Sequence, residues 1–235
     1  MKPMRQIILD TETTGLYPKN GDRLIEFAGL ELVNRQMSGN NLHLYVHPER
    51  DIPAEAMAVH GISLEQLESE PVFAKVGQQI ADFLKGAELI IHNAKFDVGF
   101  LDMEFQRMGL PTIAELDCTV TDTLAMARAN YPGQKASLDA LCNRLGVDRS
   151  KRVLHGALID CELLAEVYLA MTRGQYSLVD SLTAETEEQR SAQTLSRPQH
   201  LKVIAATEQE LDEHKAYLDV LDNAVGGVCA WRADV

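Results

Sequence analysis

The sequence has few cysteines, no long apolar run and fewer basic than acidic side chains. Its four cysteines form no C-x-x-C pair and no cluster with histidine, so we expect a reducing, cytoplasmic environment and no structural zinc site. No apolar run approaches the ~18 residues that a membrane helix needs. The opening residues 1–5 lead directly into a predicted strand, which leaves no room for a signal peptide. We therefore expect a cytoplasmic globular protein with no membrane partner.

The charge balance limits how this protein could bind nucleic acid. Acidic side chains outnumber basic ones by 35 to 22, which gives a formal net charge of −13. Proteins whose affinity comes from neutralising many phosphates are basic instead. An enzyme that acts on nucleic acid is still compatible with this charge, because metal ions could supply positive charge at the site and a partner could supply the affinity.

The order of the predicted elements indicates a mixed β-sheet. Apolar patterns predict three strands at 7–9, 24–33 and 42–46, with a turn at 38–41 between the last two. Further along, helices are predicted at 71–85, 94–108, 121–129, 137–145 and 157–171, and short strands at 89–91 and 116–118. Antiparallel strands followed by alternating strands and helices predict an α/β protein with a mixed sheet flanked by helices.

Composition divides the chain into a main domain, 1–174, a mostly polar linker region, 175–200, and a small C-terminal segment, 201–235. In that segment we predict a strand at 201–205, a helix that begins at a capping box of Thr207 and Glu210, and a last strand at 228–231. The segment has too few apolar positions for an independent core. It either folds back on the main domain or becomes ordered on a partner, and the single tryptophan, Trp231, favours a partner.

Two carboxylates stand at the end of the first predicted strand. Asp10 and Glu12 are two positions apart, so they project from one face, roughly 6–7 Å from each other. Such a pair repels unless a cation lies between its members, and hard oxygen ligands suit Mg²⁺ or Mn²⁺. For an isolated pair, a solvated strand end is the simpler interpretation.

Three further side chains extend this pattern. Asp97 follows a strand in the first turn of a predicted helix, where the helix dipole favours a carboxylate and where sites form in α/β sheets. Asp160 lies near an apolar helix face, so it must be paired or bind a cation. His155 precedes that helix and suits a general base, because histidine titrates near neutral pH. Taken singly, each could also be a capping or surface residue; together they match metal-assisted phosphodiester hydrolysis.

Three motifs, 10–15, 93–97 and 155–160, resemble those of the histidine-bearing branch of the DEDD exonuclease superfamily. The likeness continues in segments 59–62, 137–142 and 165–171, and is greatest to the epsilon proofreading subunits of bacterial DNA polymerase III. The resemblance implies a ribonuclease H-like fold, with three antiparallel strands followed by parallel ones. It also implies 3′-to-5′ removal of nucleotides from a single-stranded or frayed DNA 3′ end.

The resemblance also implies a role for each candidate residue. Asp10, Glu12 and Asp160 would bind two divalent metal ions, Mg²⁺ or Mn²⁺, and would thereby contact the substrate. Asp97 would complete the acidic set. His155 would be the general base.

Two further positions match residues that contact the terminal nucleotide in this family. These are Glu55 and His60. Without the resemblance, they would be interpreted as a solvated helix residue and a loop histidine.

The resemblance also implies partners. Gln175, Ser177 and Leu178 are similar to the short motif that binds the beta sliding clamp, and segment 201–235 is similar to the part that docks on the polymerase alpha subunit. A small accessory subunit could bind as well. Tethering would raise the local concentration of primer ends and would account for the acidic charge. Two alternatives remain open: the same chemistry on RNA, and a mainly structural polymerase subunit.

Overall fold

The computed structural model describes residues 4–150, 152, 154–173, 206–228 and 230–232. The chain divides into two compact units, Met1–Leu182 and Thr183–Val235. The strands of the first unit are Arg5–Thr13 (β1), Leu24–Val33 (β2), Gln36–Tyr45 (β3), Glu88–Ile91 (β4) and Thr119–Asp122 (β5). They form one sheet in the order β3-β2-β1-β4-β5.

The pairing of the strands confirms the predicted mixed sheet. β1, β2 and β3 pair antiparallel, whereas β4 runs parallel to β1 and β5 runs parallel to β4. A short turn at 34–35 joins β2 to β3, and residues 14–23, which include a 3-10 helix at Pro18–Asn20, join β1 to β2. The later strands are reached through helices, as parallel pairing requires. The carboxyl ends of β1 and β4 therefore lie side by side.

Two predicted strand boundaries were wrong. The predicted turn at 38–41 lies inside β3, and the chain reverses at Asn34 and Arg35, which both have positive φ. Ser38 and Asn40 belong to an edge strand whose polar side chains hydrogen-bond Glu31 on β2, so their polarity does not mark a turn. The fifth strand begins at 119 rather than 116, because Asp117 has a φ of 60° and cannot continue an extended strand.

The helices of the first unit cover both faces of the sheet. They are Ala54–His60 (α1), Leu64–Leu67 (α2), Phe73–Leu84 (α3), Ala94–Met108 (α4), Thr123–Asn130 (α5), Leu138–Leu145 (α6) and Ala157–Met171 (α7). The short α1 and α2 were not predicted, because each buries a single side chain and so has no apolar periodicity. The ends of the five longer helices agree with the predicted ends to within a few residues.

The alternation of β1 assigns its side chains to two cores. Ile7 and Leu9 pack in the core that includes α3 and α4, whereas Ile8 packs in the core that includes α6 and α7. Because alternate side chains share a face, Asp10 and Glu12 continue the α7 side of β1, and Thr11 continues the α4 side. The end of β1 thus points polar groups toward the first turns of both helices.

In its described residues, 206–228 and 230–232, the second unit forms a long helix, Glu208–Val225 (α8). Its capping box of Thr207 and Glu210 confirms the predicted start, and Gly226 ends it with a φ of 68°. The strand predicted at 228–231 was wrong, because Ala230–Arg232 is a short 3-10 helix. Arg232 pairs there with Asp219 and Asp222 of α8, which turns the chain back along the helix.

Some predictions fall outside the described residues. These are the strand at 201–205 and the linker region at 175–200, which includes the clamp-motif residues Gln175, Ser177 and Leu178. Among the helices that the structure does describe, none has the length and apolar character needed to cross a membrane.

Candidate active site

The end of β1 carries the first two predicted ligands. Asp10 lies opposite Ala28, and Glu12 lies opposite Glu26, in the antiparallel pairing with β2. Glu12 is buried, with 8% of its surface exposed, and Asp10 is partly exposed. The pairing is irregular between Glu12 and Thr13, so the regular ladder ends where these carboxylates project.

Asp97 reaches the same place from the opposite side of the sheet. It lies in the first turn of α4 and is buried, with 3% exposure. The chain enters α4 through Asn93, which has a φ of 69° and donates its backbone N–H to Asp122 Oδ1 at 3.1 Å. Thr11 Oγ1 donates to Asp97 Oδ1 at 2.7 Å. This hydrogen bond joins the start of α4 to β1 between the two strand carboxylates.

Asp160 lies in the first turn of α7 and is also buried, with 4% exposure. Gly156, which precedes the helix, has no side chain to cap it. Glu26 of β2 supplies the missing acceptor, because its Oε2 accepts the backbone N–H of Ala157 at 3.2 Å. The other oxygen of Glu26 lies 2.7 Å from His43 Nε2. Glu26 was not predicted as a site residue; its signal was a glutamate in a mostly apolar strand, a signal that Glu31 shares.

Arg152 is the second residue that sequence reasoning missed. Its guanidinium donates to both oxygens of Asp160, from Nε to Oδ1 at 2.5 Å and from Nη2 to Oδ2 at 2.8 Å. It also donates from Nη1 to Asp139 Oδ1 at 2.8 Å and contacts His155 Nδ1 from Nη2 at 2.8 Å. An arginine three residues before the candidate base was a visible signal, but nothing in the sequence indicated its contacts.

His155 lies just outside α7, and about half of its side chain is exposed, 51%. Its backbone N–H donates to Val59 O at 3.1 Å, and its Nδ1 lies 3.2 Å from Asp160 Oδ2. Ligand atoms of Glu12, His155 and Asp160 all lie within 4.8 Å of one another. This group is therefore compact enough to surround one metal ion.

All the predicted chemical residues line one cleft of about 410 Å³: Asp10, Glu12, Asp97, His155 and Asp160. The strand end and two helix starts converge there, as the sequence predicted. The chemical roles of these residues stay predictions, and their proximity is the geometric condition that those roles require.

An adjoining cavity of about 390 Å³ shares Glu12 with this cleft and contains the other two candidates. Glu55 is exposed in the first turn of α1, and His60 is buried at the end of that helix. His60 Nδ1 accepts the backbone N–H of Ile62 at 3.0 Å, which makes Nε2 the protonated nitrogen of a neutral ring. Burial lowers the pKa of His60, which agrees with that neutral form.

The cleft has an excess of buried negative charge. Burial, reinforced by the charges of Asp97 and Glu12, raises the pKa of Asp10 well above its ordinary value. Burial and the charge of Asp160 raise the pKa of Glu12 to about 8. Burial raises the pKa of Asp97 to about 7, although the hydrogen bond from Thr11 opposes this shift. Buried carboxylates that resist ionisation would be stabilised by a cation, so this oxygen-rich set fits divalent ions such as Mg²⁺ or Mn²⁺.

Comparison with known proteins agrees with this geometry. Residues 7–168 match the model of the Exonuclease family. The chain is 48% identical over 241 residues to DNA polymerase III subunit epsilon of Pasteurella multocida, covering 98% of this chain and 94% of that one. It is 47% identical over 239 residues to the same subunit of Escherichia coli K12, covering 97% and 98%.

Solved structures share the fold. The zinc-bound form of Escherichia coli exonuclease I with single-stranded DNA has a TM-score of 0.67 at 20% identity, covering 80% of this chain and 44% of that one. This chain therefore spans less than half of that exonuclease I chain. Exonuclease X in complex with 5′-overhanging duplex DNA has a TM-score of 0.55 at 26% identity, covering 72% and 92%. The fold is the ribonuclease H-like fold that the resemblance implied, and the chain belongs to the exonuclease family, within the group of DNA polymerase III epsilon subunits.

Proposed function

We propose that this protein is a 3′-to-5′ exonuclease that removes mispaired nucleotides from the growing DNA end while tethered to the replicative polymerase. The convergence of Asp10, Glu12, Asp97, Asp160 and His155 on one cleft carries this proposal. These side chains come from β1, α4, α7 and the segment before α7. Because they are far apart in the sequence, only the fold brings them together. The kinship with epsilon subunits supports DNA as the substrate.

Asp10, Glu12 and Asp160 would hold two divalent ions, with Asp97 completing the acidic set. When bound, such ions neutralise the charge of the scissile phosphate and of the leaving oxygen. The protein supplies the rigid carboxylates: β1 positions the first pair, and the Thr11 hydrogen bond holds Asp97 beside them. The cleft can then accept an anionic substrate although the chain as a whole has a net charge of −13.

His155 is the general base of this proposal. It accepts a proton from the attacking water as the water oxygen bonds to phosphorus and the 3′ oxygen of the preceding nucleotide leaves. Its position suits this task, because its ring is half exposed and reaches solvent at the edge of the cleft. The bond from its backbone N–H to Val59 O holds the main chain, and contacts with Arg152 and Asp160 orient the ring.

The adjoining cavity would receive the terminal nucleotide. Its lining combines apolar side chains, Leu16, Val59 and Phe96 among them, with polar ones that include Glu12, Asp22, Glu55 and His60. An apolar cavity with a few polar groups suits a nucleobase and its sugar. Selection for a mispaired end would come from fraying of the primer end, since unpairing costs less at a mismatch.

The second unit would provide the tether. Several large apolar side chains of this unit are exposed: Leu211, Tyr217, Val220, Val225, Val228 and Trp231. Only Leu218 of α8 is buried, so this unit presents apolar surface of the kind that partner proteins cover. We propose that it docks on the polymerase alpha subunit, that Gln175, Ser177 and Leu178 bind the beta sliding clamp, and that a small accessory subunit can join the nuclease domain.

A digestion assay tests the proposal. The full chain is incubated with a primer–template labelled at the primer 5′ end, with matched or mispaired 3′ termini, in Mg²⁺, in Mn²⁺ or in EDTA. We expect stepwise shortening from the 3′ end that needs a divalent ion and is faster at the mispaired terminus. Absence of shortening in the native chain, or equal shortening in the Asp10→Asn variant, would refute the proposal.

The same assay separates the alternatives. Matched RNA oligomers decide whether the enzyme trims RNA, and a strong preference for RNA would replace the proofreading proposal. Removal of residues 183–235 decides whether the second unit is needed for nuclease activity. We expect the truncated chain to retain nuclease activity on single-stranded DNA and to lose co-elution with the polymerase alpha subunit.

A further inference from the structure

Arg152 lies in the cleft beside Asp160, one of the proposed metal ligands. Its guanidinium forms a bidentate ion pair with both oxygens of Asp160, and only 7% of the Arg152 side chain is exposed. We propose that Arg152 is a placeholder cation, which neutralises Asp160 in the metal-free enzyme and is displaced from it when a divalent ion binds. This inference rests on the proposed function, because it takes Asp160 as a metal ligand.

The distribution of partners in the cleft supports a placeholder. In the described parts of the chain, Asp10, Glu12 and Asp97 form no ion pair, whereas Asp160 pairs with Arg152. Asp160 is as buried as Glu12 and Asp97, and a buried, unpaired carboxylate is costly. Arg152 removes that cost at one of the carboxylates. A divalent ion at Asp160 would remove it as well, but two cations on one carboxylate repel each other.

Arg152 also engages the candidate base. Its Nη2 donates to His155 Nδ1 at 2.8 Å, so that nitrogen acts as a hydrogen-bond acceptor and cannot take a proton from water. Release of Arg152 from Asp160 would therefore free His155 in the same movement. Arrival of the ion and availability of the base are coupled through one side chain.

Asp139 gives the displaced guanidinium somewhere to remain. Its Oδ1 already accepts from Arg152 Nη1 at 2.8 Å, and its side chain is 44% exposed at the outer edge of the cleft. Arg149 pairs with the same oxygen at 3.2 Å but makes no bond to Asp160. Arg149 is thus a natural control, since it has the same charge and shares one partner.

Metal titration of purified variants tests this inference. Mn²⁺ binding to the full chain is measured by calorimetry for the native protein, Arg152→Gln and Arg149→Gln. Because Arg152→Gln removes a competing positive charge, we expect its Mn²⁺ Kd to fall on the order of tenfold, while the Kd of Arg149→Gln stays within about twofold of native. The metal-free thermal midpoint of Arg152→Gln should fall by about 5 °C and recover in saturating Mn²⁺.

Equal or weaker Mn²⁺ binding by Arg152→Gln would overturn the inference, because Arg152 would then orient Asp160 in the loaded state. If Arg152→Gln fails to fold, Arg152→Lys replaces it. The lysine amine keeps the positive charge but cannot bond both oxygens of Asp160 as the guanidinium does. Its Mn²⁺ Kd should therefore lie between the native Kd and the Kd expected for Arg152→Gln. A further Mn²⁺ titration, of the Asp10→Asn variant, separates this inference from the proposed function. If the native protein binds Mn²⁺ and Asp10→Asn does not, the proposed function stands even when the result for Arg152→Gln contradicts the placeholder inference. If the native protein binds no Mn²⁺, both proposals are overturned.

Discussion

The two halves of the cleft are held in different ways. On the strand half, Asp10 and Glu12 belong to β1, which is paired with β2 on one side and with β4 on the other. On the helix half, Asp160 belongs to α7, which packs on the sheet, but Arg152 and His155 precede that helix. This preceding segment is held by a few bonds, among them His155 N–H to Val59 O and the bonds from Arg152 to Asp160. The strand half is therefore rigid, and the helix half is adjustable.

Charge is also divided unequally between the halves. The strand carboxylates have raised pKa values and no basic partner among the described residues. Asp160 has Arg152 as a counter-ion. On this basis the unpaired carboxylates of the strand half would attract the metal ions, and Arg152 on the helix half would move when an ion binds.

The largest expected effect is loss of a strand ligand. Asp10→Asn removes a carboxylate charge without changing side-chain size, and we expect kcat to fall on the order of 10³-fold or more, because stabilisation of the transition-state charge is lost. Single-turnover digestion of single-stranded DNA measures this. Asp82→Asn on the exposed face of α3 is the control for a lost acidic charge, and it should keep native activity. Activity in Asp10→Asn within tenfold of native would contradict the assignment of the strand half.

On the adjustable half, His155→Gln should lower kcat by about 10²- to 10⁴-fold, the usual contribution of a general base. We expect Mn²⁺ affinity to change little, because the proposed ligands are carboxylates. His47→Gln, a histidine outside both cavities, is the matched control. Loss of Mn²⁺ binding together with activity would instead make His155 a ligand, as its proximity to Glu12 and Asp160 permits.

A smaller effect is expected from the support of α7. Glu26→Ala removes the acceptor for the Ala157 N–H, and we expect kcat/KM to fall about 10- to 100-fold as Asp160 shifts. Glu26→Gln keeps an amide oxygen at that position and should recover most of the activity. Glu31→Ala, in the same strand and also buried, removes hydrogen bonds to Arg5, Ser38 and Asn40 instead. A loss of activity in Glu31→Ala equal to that in Glu26→Ala would mean that general stability, rather than helix position, is responsible.

The strand half could be predicted from the sequence, whereas part of the helix half could not. The alternation in β1 and the composition of the α4 and α7 segments are local properties, so they placed Asp10, Asp97 and Asp160 on the correct strand and helices. Glu26 acts on a residue 131 positions away, and the bidentate ion pair of Arg152 depends on how the segment before α7 approaches the sheet. Neither contact leaves a periodic signal, just as the edge-strand bonds of Ser38 left none that distinguished it from a turn residue.

The smallest effect concerns stability and pH on the strand half. The folded state raises the pKa of Glu12 from 4.5 to about 8, so folding favours the protonated carboxyl. Stability from this group is present at low pH and is lost as pH rises through that interval. For the metal-free protein we expect the thermal midpoint to fall by about 2–5 °C per pH unit between about pH 6 and 8. Scanning calorimetry in EDTA measures this.

A divalent ion should reverse this trend, because it replaces the missing proton as the partner of the strand carboxylates. Saturating Mn²⁺ at pH 8 is expected to raise the midpoint more than at pH 6, where protons compete for the same oxygens. Glu12→Gln should reduce the pH dependence in EDTA, since its neutral amide does not titrate, while Asp10 and Asp97 still contribute. A midpoint in EDTA that rises from pH 6 to 8 would mean that the strand half has no excess charge, and the contrast between the two halves would then rest on rigidity alone.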